Sequence, residues 1–411
     1  MKTGYKQTEV GVIPEEWAVV TATEACELVV DCKNRTPPVV AESDYAVVRT
    51  PNVRDGRFVL EDLRFTDENS YRVWTARAVP QFGDIMITRE APLGEVCAVP
   101  ADRKVCLGQR MMLYRPSPTR TSSTYLLYSL MSQPVRANLF RKIGGSTVGH
   151  AKVDDIRFLQ LPLPSLPEQR AIAEALSNAD ALLGGLDRII AKKRDLKQAA
   201  MQQLFTGQTR LPGFHGEWEV KRLGEVATFY KGKGLPKSAL TPFGAEPCIH
   251  YGELFTRYPE TIREIISRTD ETRGCFRSVA NDVLMPTSDV TPRGLAKASC
   301  VRVDGVILGG DILVIRSEIS RVFGTFLSYL IRREEDQVLQ LVTGTTVFHL
   351  YGSDMKKFKL SLPSLAEQTA IAEVLTDMDS ELAALEQLRE KTRGLKQAMM
   401  QELLTGKIRL V

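Results

Sequence analysis

LPSLPEQRAIAEAL, residues 163–176, and LPSLAEQTAIAEVL, residues 362–375, are near-copies 199 positions apart in one chain. Sliding the chain against itself by that offset aligns 161–210 with 360–409 without a gap, and 27 of the 50 aligned pairs are identical. The agreement concentrates at the two ends, in LPSL-EQ-AIAE-L at the start and LKQA-MQ-L-TG at the close. Gapless identity over such a length marks an internal duplication.

Each copy reads as one long helix. Ser165 and Ser364 suit an N-cap, and Glu168 and Glu367 follow three positions later, the spacing of a capping box. Gly207 and Gly406 stand where a left-handed C-cap wants glycine, and Pro212 follows the first copy. About 40 residues lie between these limits, so each helix spans roughly 60 Å. Apolar residues step by threes and fours: Ile172, Ala179, Leu182, Leu186, Ile189 and Leu196 in the first, Ile371, Val374, Met378, Leu385, Leu388 and Leu395 in the second. That is a coiled-coil seam, and each helix is the other's obvious partner. Lys193, Glu381 and Thr392 interrupt it, and Gly184–Gly185 lie mid-helix at roughly 1 kcal/mol each relative to alanine.

The segments between the helices differ in character. Short apolar runs such as YAVVRT (45–50), GDIMIT (83–88), CIHYGE (248–253) and GVILGGDILVIRS (305–317), punctuated by Gly and Pro, read as strands. SSTYLLYSLMSQPVRANLF (122–140) and FGTFLSYLIRREEDQVLQLV (323–342) read as a helix or two each. The segments share faint landmarks: Trp17 with Trp218, and GGSTVGHAKVDDI (144–156) with TGTTVFHLYGSDM (343–355), again at offset 199. The expected fold is two α/β (α+β) globular domains, 1–160 and 210–359, alternating with helices 161–209 and 360–411. The circular repeat implies a pseudo-twofold axis, hence an antiparallel coiled coil.

At 411 residues, with 43% hydrophobic and 25% charged residues, the chain is of ordinary globular composition. Its N-terminal stretch lacks the apolar segment of a signal peptide, and no run of about 18 uncharged apolar residues is present, so no membrane partner is expected. Seven scattered cysteines without a C-x-x-C pair read as reduced thiols of a cytoplasmic protein. A net charge of +4 permits a polyanionic partner without demanding one.

Catalytic constellations are missing. There is no phosphate-binding G-x-x-x-x-G-K-[ST], no full G-x-G-x-x-G and no methyltransferase or nuclease motif, and the four histidines are dispersed, with no expected metal site. Polar loops remain. RTPNVRDGRF carries Asn52 and Arg54, ITREAPLG carries Arg89, and LGQRM carries Gln109 and Arg110. Asn and Gln suit adenine and Arg suits guanine in major-groove contacts. The loop Gly145, Ser146, Thr147, His150, Lys152 is of a kind that brings backbone N–H groups close to phosphate, and Thr345, Thr346, His349 repeats it.

The whole chain resembles the specificity (S) subunits of type I restriction–modification systems. The resemblance rests on TEVGVIPEEW (8–17), FHGEW (214–218), both PSL-EQ openings, both LKQ-M-Q-L-TG endings, KGKGLPKSAL (231–240) and HYGELFTRYPETI (250–262). It implies two target recognition domains, each reading one half of a bipartite sequence in double-stranded DNA, held apart by antiparallel spacer helices. It further implies two methyltransferase (M) subunits carrying S-adenosylmethionine and two restriction (R) subunits using ATP and Mg²⁺, with no cofactor on this chain. By the same resemblance, DNA contacts fall on Asn52, Arg54, Arg89 and the 146–152 loop in the first domain. In the second they fall on Lys231, Lys233, Tyr251 and the 345–349 loop. The competing expectation is a coiled-coil scaffold that never reads DNA sequence.

Overall fold

Both capped openings lead into the long helices read from the sequence. In the computed structural model, which describes residues 3–143 and 149–410, one helix runs Leu166–Thr206 (α1) and the other Leu365–Leu403 (α2). The serines cap as expected: Ser165 Oγ accepts from Glu168 N at 3.4 Å and Ser364 Oγ from Glu367 N at 3.3 Å. Gly207 and Gly406 both take φ +68°, the left-handed conformation that ends a helix. The reciprocal half of the capping box is absent, because the two glutamates are engaged elsewhere.

By its contacts the chain divides into two units, Met1–Asp187 with Gln387–Val411, and Arg188–Glu386. The helix pair is shared between them and forms no body of its own. In the first unit a four-stranded antiparallel sheet has the order Val96–Ala98, Ile85–Thr88, Met111–Pro116, Cys26–Asp31. Beside it lie three strands, Lys104–Leu107, Tyr45–Val48 and Arg64–Thr66, the first two parallel. Helices Ser123–Met131 and Gln133–Lys142 cover the larger sheet, with Leu126, Leu130, Val135 and Leu139 buried against Ile85, Ile87 and Met112.

The second unit repeats this plan. Five strands run in the order Ala227–Lys231, Ile312–Ser317, Val283–Pro286, Ser299–Val301, Thr261–Ile262. Four more run Ser267–Thr269, Glu246–Ile249, Ile307–Leu308, Phe276–Arg277. Helix Gly324–Arg333 packs on the larger sheet through Phe326, Leu327 and Leu330, and helix Glu335–Leu339 joins the same core through Val338. In each unit a two-stranded ribbon feeds the long helix: Ala18–Thr21 pairs with Gln160–Leu163, and Glu219–Arg222 with Lys359–Leu362. All seven cysteines are free, and burial pushes the Cys26, Cys97 and Cys106 thiols up to about 12, so they act as apolar filling.

Within each unit the helices are antiparallel. In the first, Asp180 meets Lys396 at 2.6 Å and Asp187 meets Arg389 at 3.5 Å. In the second, Lys193 meets Glu381 at 2.7 Å and Lys197 meets Asp379 at 2.5 Å. The seam differs from the sequence reading in one row. Ile172, Leu186 and Ile371 are buried, and Ala179, Met378 and Leu385 are half-buried. The second inward row is Leu176, Leu183 and Ile190 on α1 and Leu375 and Leu382 on α2. Leu182, Ile189, Leu196, Val374, Leu388 and Leu395 stand one residue away on an exposed flank, Leu395 being 61% exposed.

Hydrophobicity misplaces this row because cations occupy three inward positions, Lys197, Arg389 and Lys396, whose stems pack inward while their heads meet carboxylates. Each lysine arrangement also binds its domain: Tyr128 donates to Asp180 at 2.7 Å and Tyr329 to Asp379 at 2.5 Å. Glu260 joins the second, 3.2 Å from Arg332 and 3.6 Å from Lys197. Burial alone would raise its carboxyl, but Arg332 and Lys197 outweigh burial and hold it below the usual carboxylate value.

Gly184 and Gly185 do not break α1, whose helical assignment is continuous from Leu166 to Thr206. A Cβ built on Gly185 meets nothing within 4 Å, so close packing does not demand glycine there. Gly185→Ala should therefore stabilise the chain by about 1 kcal/mol, read as a higher urea midpoint at unchanged slope.

Candidate nucleic-acid interface

Three loops meet at one end of the first unit's larger sheet. They follow strand Ile85–Thr88, precede strand Met111–Pro116, and lead into the short helix Val153–Arg157. Backbone bonds join them: Arg89 N donates to Arg110 O at 2.8 Å, and Ala151 N donates to Arg89 O at 3.0 Å. Four side chains then form a chain. Arg110 Nε lies 2.7 Å from Glu90, Glu90 lies 3.2 Å from His150 Nδ1, and His150 Nε2 lies 3.0 Å from Arg89 Nη2. Gln109 is exposed alongside and donates to Asn34 O at 3.2 Å. Lys152 is exposed at the start of the short helix. Arg89, Gln109, Arg110, His150 and Lys152, scattered over 64 positions, thus share one surface; Gly145, Ser146 and Thr147 lie outside the described residues.

Two first-domain residues do not belong to this surface. Asn52 is fully buried, with its amide spent on the backbone: Oδ1 accepts from Arg49 N, and Nδ2 donates to Val59 O and Glu61 O. It closes a turn and has no group left for a base. Arg54 is exposed on the hairpin Val53–Phe58, which is tied to Glu95 through Asp55 N at 2.8 Å, and among the described residues no bond links it to the loop cluster.

The second unit builds its surface from the corresponding loops. KGKG (231–234) lies directly on the turn 308–312: Gly232 N donates to Ile312 O, Lys233 N to Leu308 O, and Gly310 N to Gly234 O. A Cβ on Gly232 would stand 2.0 Å from Gly309 O, a backbone atom unable to retreat cheaply. Gly232→Ala should cost about 1–3 kcal/mol in urea unfolding, because the loop must lift off its neighbour. Lys231 reaches Asp311 at 3.3 Å, and Lys233 is exposed. The third loop is closed by paired bonds between Thr343 and His349, which leave Thr345 and Thr346 exposed at its tip. His349 pairs with Ser288 across a short ribbon, and its ring stacks on Tyr351 at 6.1 Å. A cleft of about 660 Å³ is lined by Lys231, Ser288, Asp311, His349, Tyr351 and Lys356.

Tyr251 is half-buried, its ring against His250 and Phe255 and its body on the smaller sheet's core. Its role there is packing. Sequence reasoning missed Asp311, Tyr351 and Lys356, which belong to or closely follow these loops and join Lys231 from 80 or more positions away. It also missed Lys33, which the repeat offset places opposite Gly232, one residue before Lys233. Lys33 and Arg35 both lie over the Trp74 ring at 5.3 Å.

Among the described residues no group of three or more His, Cys, Asp or Glu is placed to hold a metal ion. No helix of the described residues is long and apolar enough to cross a membrane. What the two surfaces offer is hydrogen-bonding side chains of mixed sign on braced loops, the equipment for reading the edges of another molecule.

Comparison with known proteins agrees over the length of the chain. A family model described as the type I restriction modification DNA specificity domain matches twice, at residues 14–191 and 215–393. The MjaX specificity subunit of Methanocaldococcus jannaschii is 25% identical over 437 aligned residues, covering 99% of this chain and 97% of that protein. The MjaVIII specificity subunit of the same organism is 23% identical, covering 97% and 94%. In fold, the chain is similar to the crystal structure of a type I S subunit from M. genitalium, with a TM-score of 0.60 at 16% identity, covering 94% of this chain and 96% of that one.

Proposed function

The chain belongs to the type I restriction–modification DNA specificity family, and on that premise we propose that each globular domain reads one half of a split, asymmetric target in double-stranded DNA. The helices α1 and α2 set the unread gap and present surfaces to two methyltransferase subunits, and two restriction subunits join the assembly. S-adenosylmethionine, ATP and Mg²⁺ reside on those partners; this chain contributes no catalysis and works in the cytoplasm. The proposed DNA contacts are Arg89, Gln109, Arg110, His150 and Lys152 in the first domain, and Lys231, Lys233, Thr345, Thr346 and His349 in the second.

One contrast carries the reading. The two units repeat the helix contacts of Asp180–Lys396 as Asp379–Lys197 and of Glu168–Arg409 as Glu367–Arg210, yet their loop surfaces differ in chemistry. The first presents Arg89, Arg110 and His150 around Glu90, and the second Lys231 and His349 around Asp311. A frame held constant around two unlike readers is what a split, asymmetric target requires. A scaffold has no use for that contrast.

Residues 1–160 replaced by the corresponding domain of another specificity subunit, in a complex with methyltransferase subunits, provide the test. Sequencing of methylated adenines should show one half of the target changed and the other retained. A complex that methylates or binds all sequences alike would sink the proposal in favour of the scaffold.

A further inference from the structure

We infer that Arg89 is the side chain with which the first domain reads a guanine, and that His150 and Glu90 are positioning residues that aim it. This assignment rests on the DNA-reading function proposed above.

Arg54, Arg57, Arg64 and Arg120 lack both a carboxylate partner and a side-chain bond among the described residues, whereas Arg89, which lacks the carboxylate too, is braced by a neutral acceptor. Arg77 is paired with Asp31, Arg110 with Glu90, Arg115 with Asp84 and Arg136 with Glu95. Arg89 has no carboxylate partner among the described residues; its one side-chain bond is to His150 Nε2, and its Nε is buried without any partner. To accept from a guanidinium, Nε2 must carry its lone pair, which places the ring proton on Nδ1. That nitrogen lies 3.2 Å from Glu90, a ready acceptor. The chain Glu90–His150–Arg89 therefore orients the guanidinium without neutralising it. Glu90's charge is meanwhile shared with Arg110.

The backbone is held equally firmly, by the bonds from Arg89 N to Arg110 O and from Ala151 N to Arg89 O. An arginine braced on both sides and only half-buried finds no carboxylate among the described residues, and in a DNA-reading domain a base edge supplies the acceptor. The rigid donor fork of arginine matches guanine O6 and N7 in the major groove with a directionality that the rotatable ammonium of lysine lacks. The second domain carries no arginine at the matching place. There Thr287, Ser288 and Asp289 follow the corresponding strand, and Asp289 is turned to its own loop, accepting from Val290 N and Thr291 Oγ1. The guanine contact is thus specific to the first half-site.

The test uses the chain assembled with its methyltransferase subunit and S-adenosylmethionine, acting on duplexes randomised in sequence. Wild type should select a split target with a guanine at a position of the half read by the first domain. Arg89→Ala should lower preference for that guanine about 10- to 100-fold and leave the other half intact. Arg89→Lys should lose it in part, since an ammonium also donates to guanine O6 and N7 but without the fixed fork. Replacing that guanine with 7-deazaguanine, which lacks the N7 acceptor, should penalise wild type and not Arg89→Ala. His150→Ala should blur selection at the same position alone, and His150→Gln, whose amide oxygen accepts from Arg89, should restore it.

A first half-site without guanine overturns the assignment. So does retained selectivity in Arg89→Ala, which would leave that guanine to another side chain. Selectivity lost in both halves, by either Arg89 variant, also overturns it. A complex with no split preference at all would overturn the DNA-reading function itself.

Discussion

Gln368→Leu should destabilise the chain by about 3–5 kcal/mol, and Gln169→Leu by a similar amount. Both glutamines are fully buried, and both amides serve backbone groups of a neighbouring segment. Gln368 Oε1 accepts from Phe323 N at 2.9 Å, while Nε2 donates to Arg321 O and Pro363 O at 2.9 and 3.0 Å. Gln169 repeats this with Ser122 N, Arg120 O and Pro164 O, each at 2.9 Å. Leucine fills nearly the same volume, so packing alone predicts little effect. Three backbone groups, one in a buried bond and two in part-buried ones, however, lose their only side-chain partner, at up to about 1–3 kcal/mol each before water or relaxation recovers part of it. Urea unfolding measures the loss. Gln397→Leu, at an exposed site on α2, is the control and should shift stability by under about 0.5 kcal/mol. Equal effects at Gln368 and Gln397 would show that the buried amide is dispensable.

These glutamines explain the stretch LPSL-EQ better than helix capping does. Each ties the start of a long helix to the segment entering a domain helix, Ser123–Met131 or Gly324–Arg333. The sequence showed where the long helices begin and end, because caps and C-terminal glycines are local signals. It also showed both domains as mixed α and β, since strand alternation and the helical stretches are local too. It did not show which row of α1 and α2 turns inward, because Lys197, Arg389 and Lys396 take seam positions through ion pairs visible only in three dimensions.

The candidate site was legible to a similar depth. Arg89, Arg110 and His150 were singled out as residue types suited to DNA, but their convergence depends on backbone bonds between loops up to 62 positions apart. Asn52 shows the converse failure. Its amide suits adenine in the abstract, yet a turn takes both amide protons and a bond to the oxygen, and burial hides the side chain. Residue chemistry alone does not tell a free amide from a spent one.

Arg409→Met should cost about 2–4 kcal/mol, although it removes a side chain only two positions from the end of the chain. Glu168, the residue assigned to a capping box, is 1% exposed, and its carboxylate accepts from Arg409 Nε and Nη2 and from Trp17 Nε1. Breaking a buried pair leaves an uncompensated charge, typically worth 3–5 kcal/mol. The lower figure here reflects a guanidinium that is 30% exposed and the donor that Trp17 keeps in place. Glu168→Gln combined with Arg409→Met should be less destabilised than Arg409→Met alone, since a neutral amide needs no counter-charge. If the double variant instead costs the sum of the two singles, the pair is not coupled. The second unit makes the same contact between Arg210 and Glu367, with both bonds at 2.5 Å. In each unit, then, the arginine that follows one long helix closes on the glutamate that opens the other. The opening and the ending of the repeat are two halves of one contact, which is why the copies agree best at their ends. Between Ala181 and Ala191, where no such lock acts, only Leu183 and Leu186 match their counterparts Leu382 and Leu385. Substitutions at the exposed positions of that middle stretch should be nearly neutral in the same unfolding assay that registers the loss of Arg409.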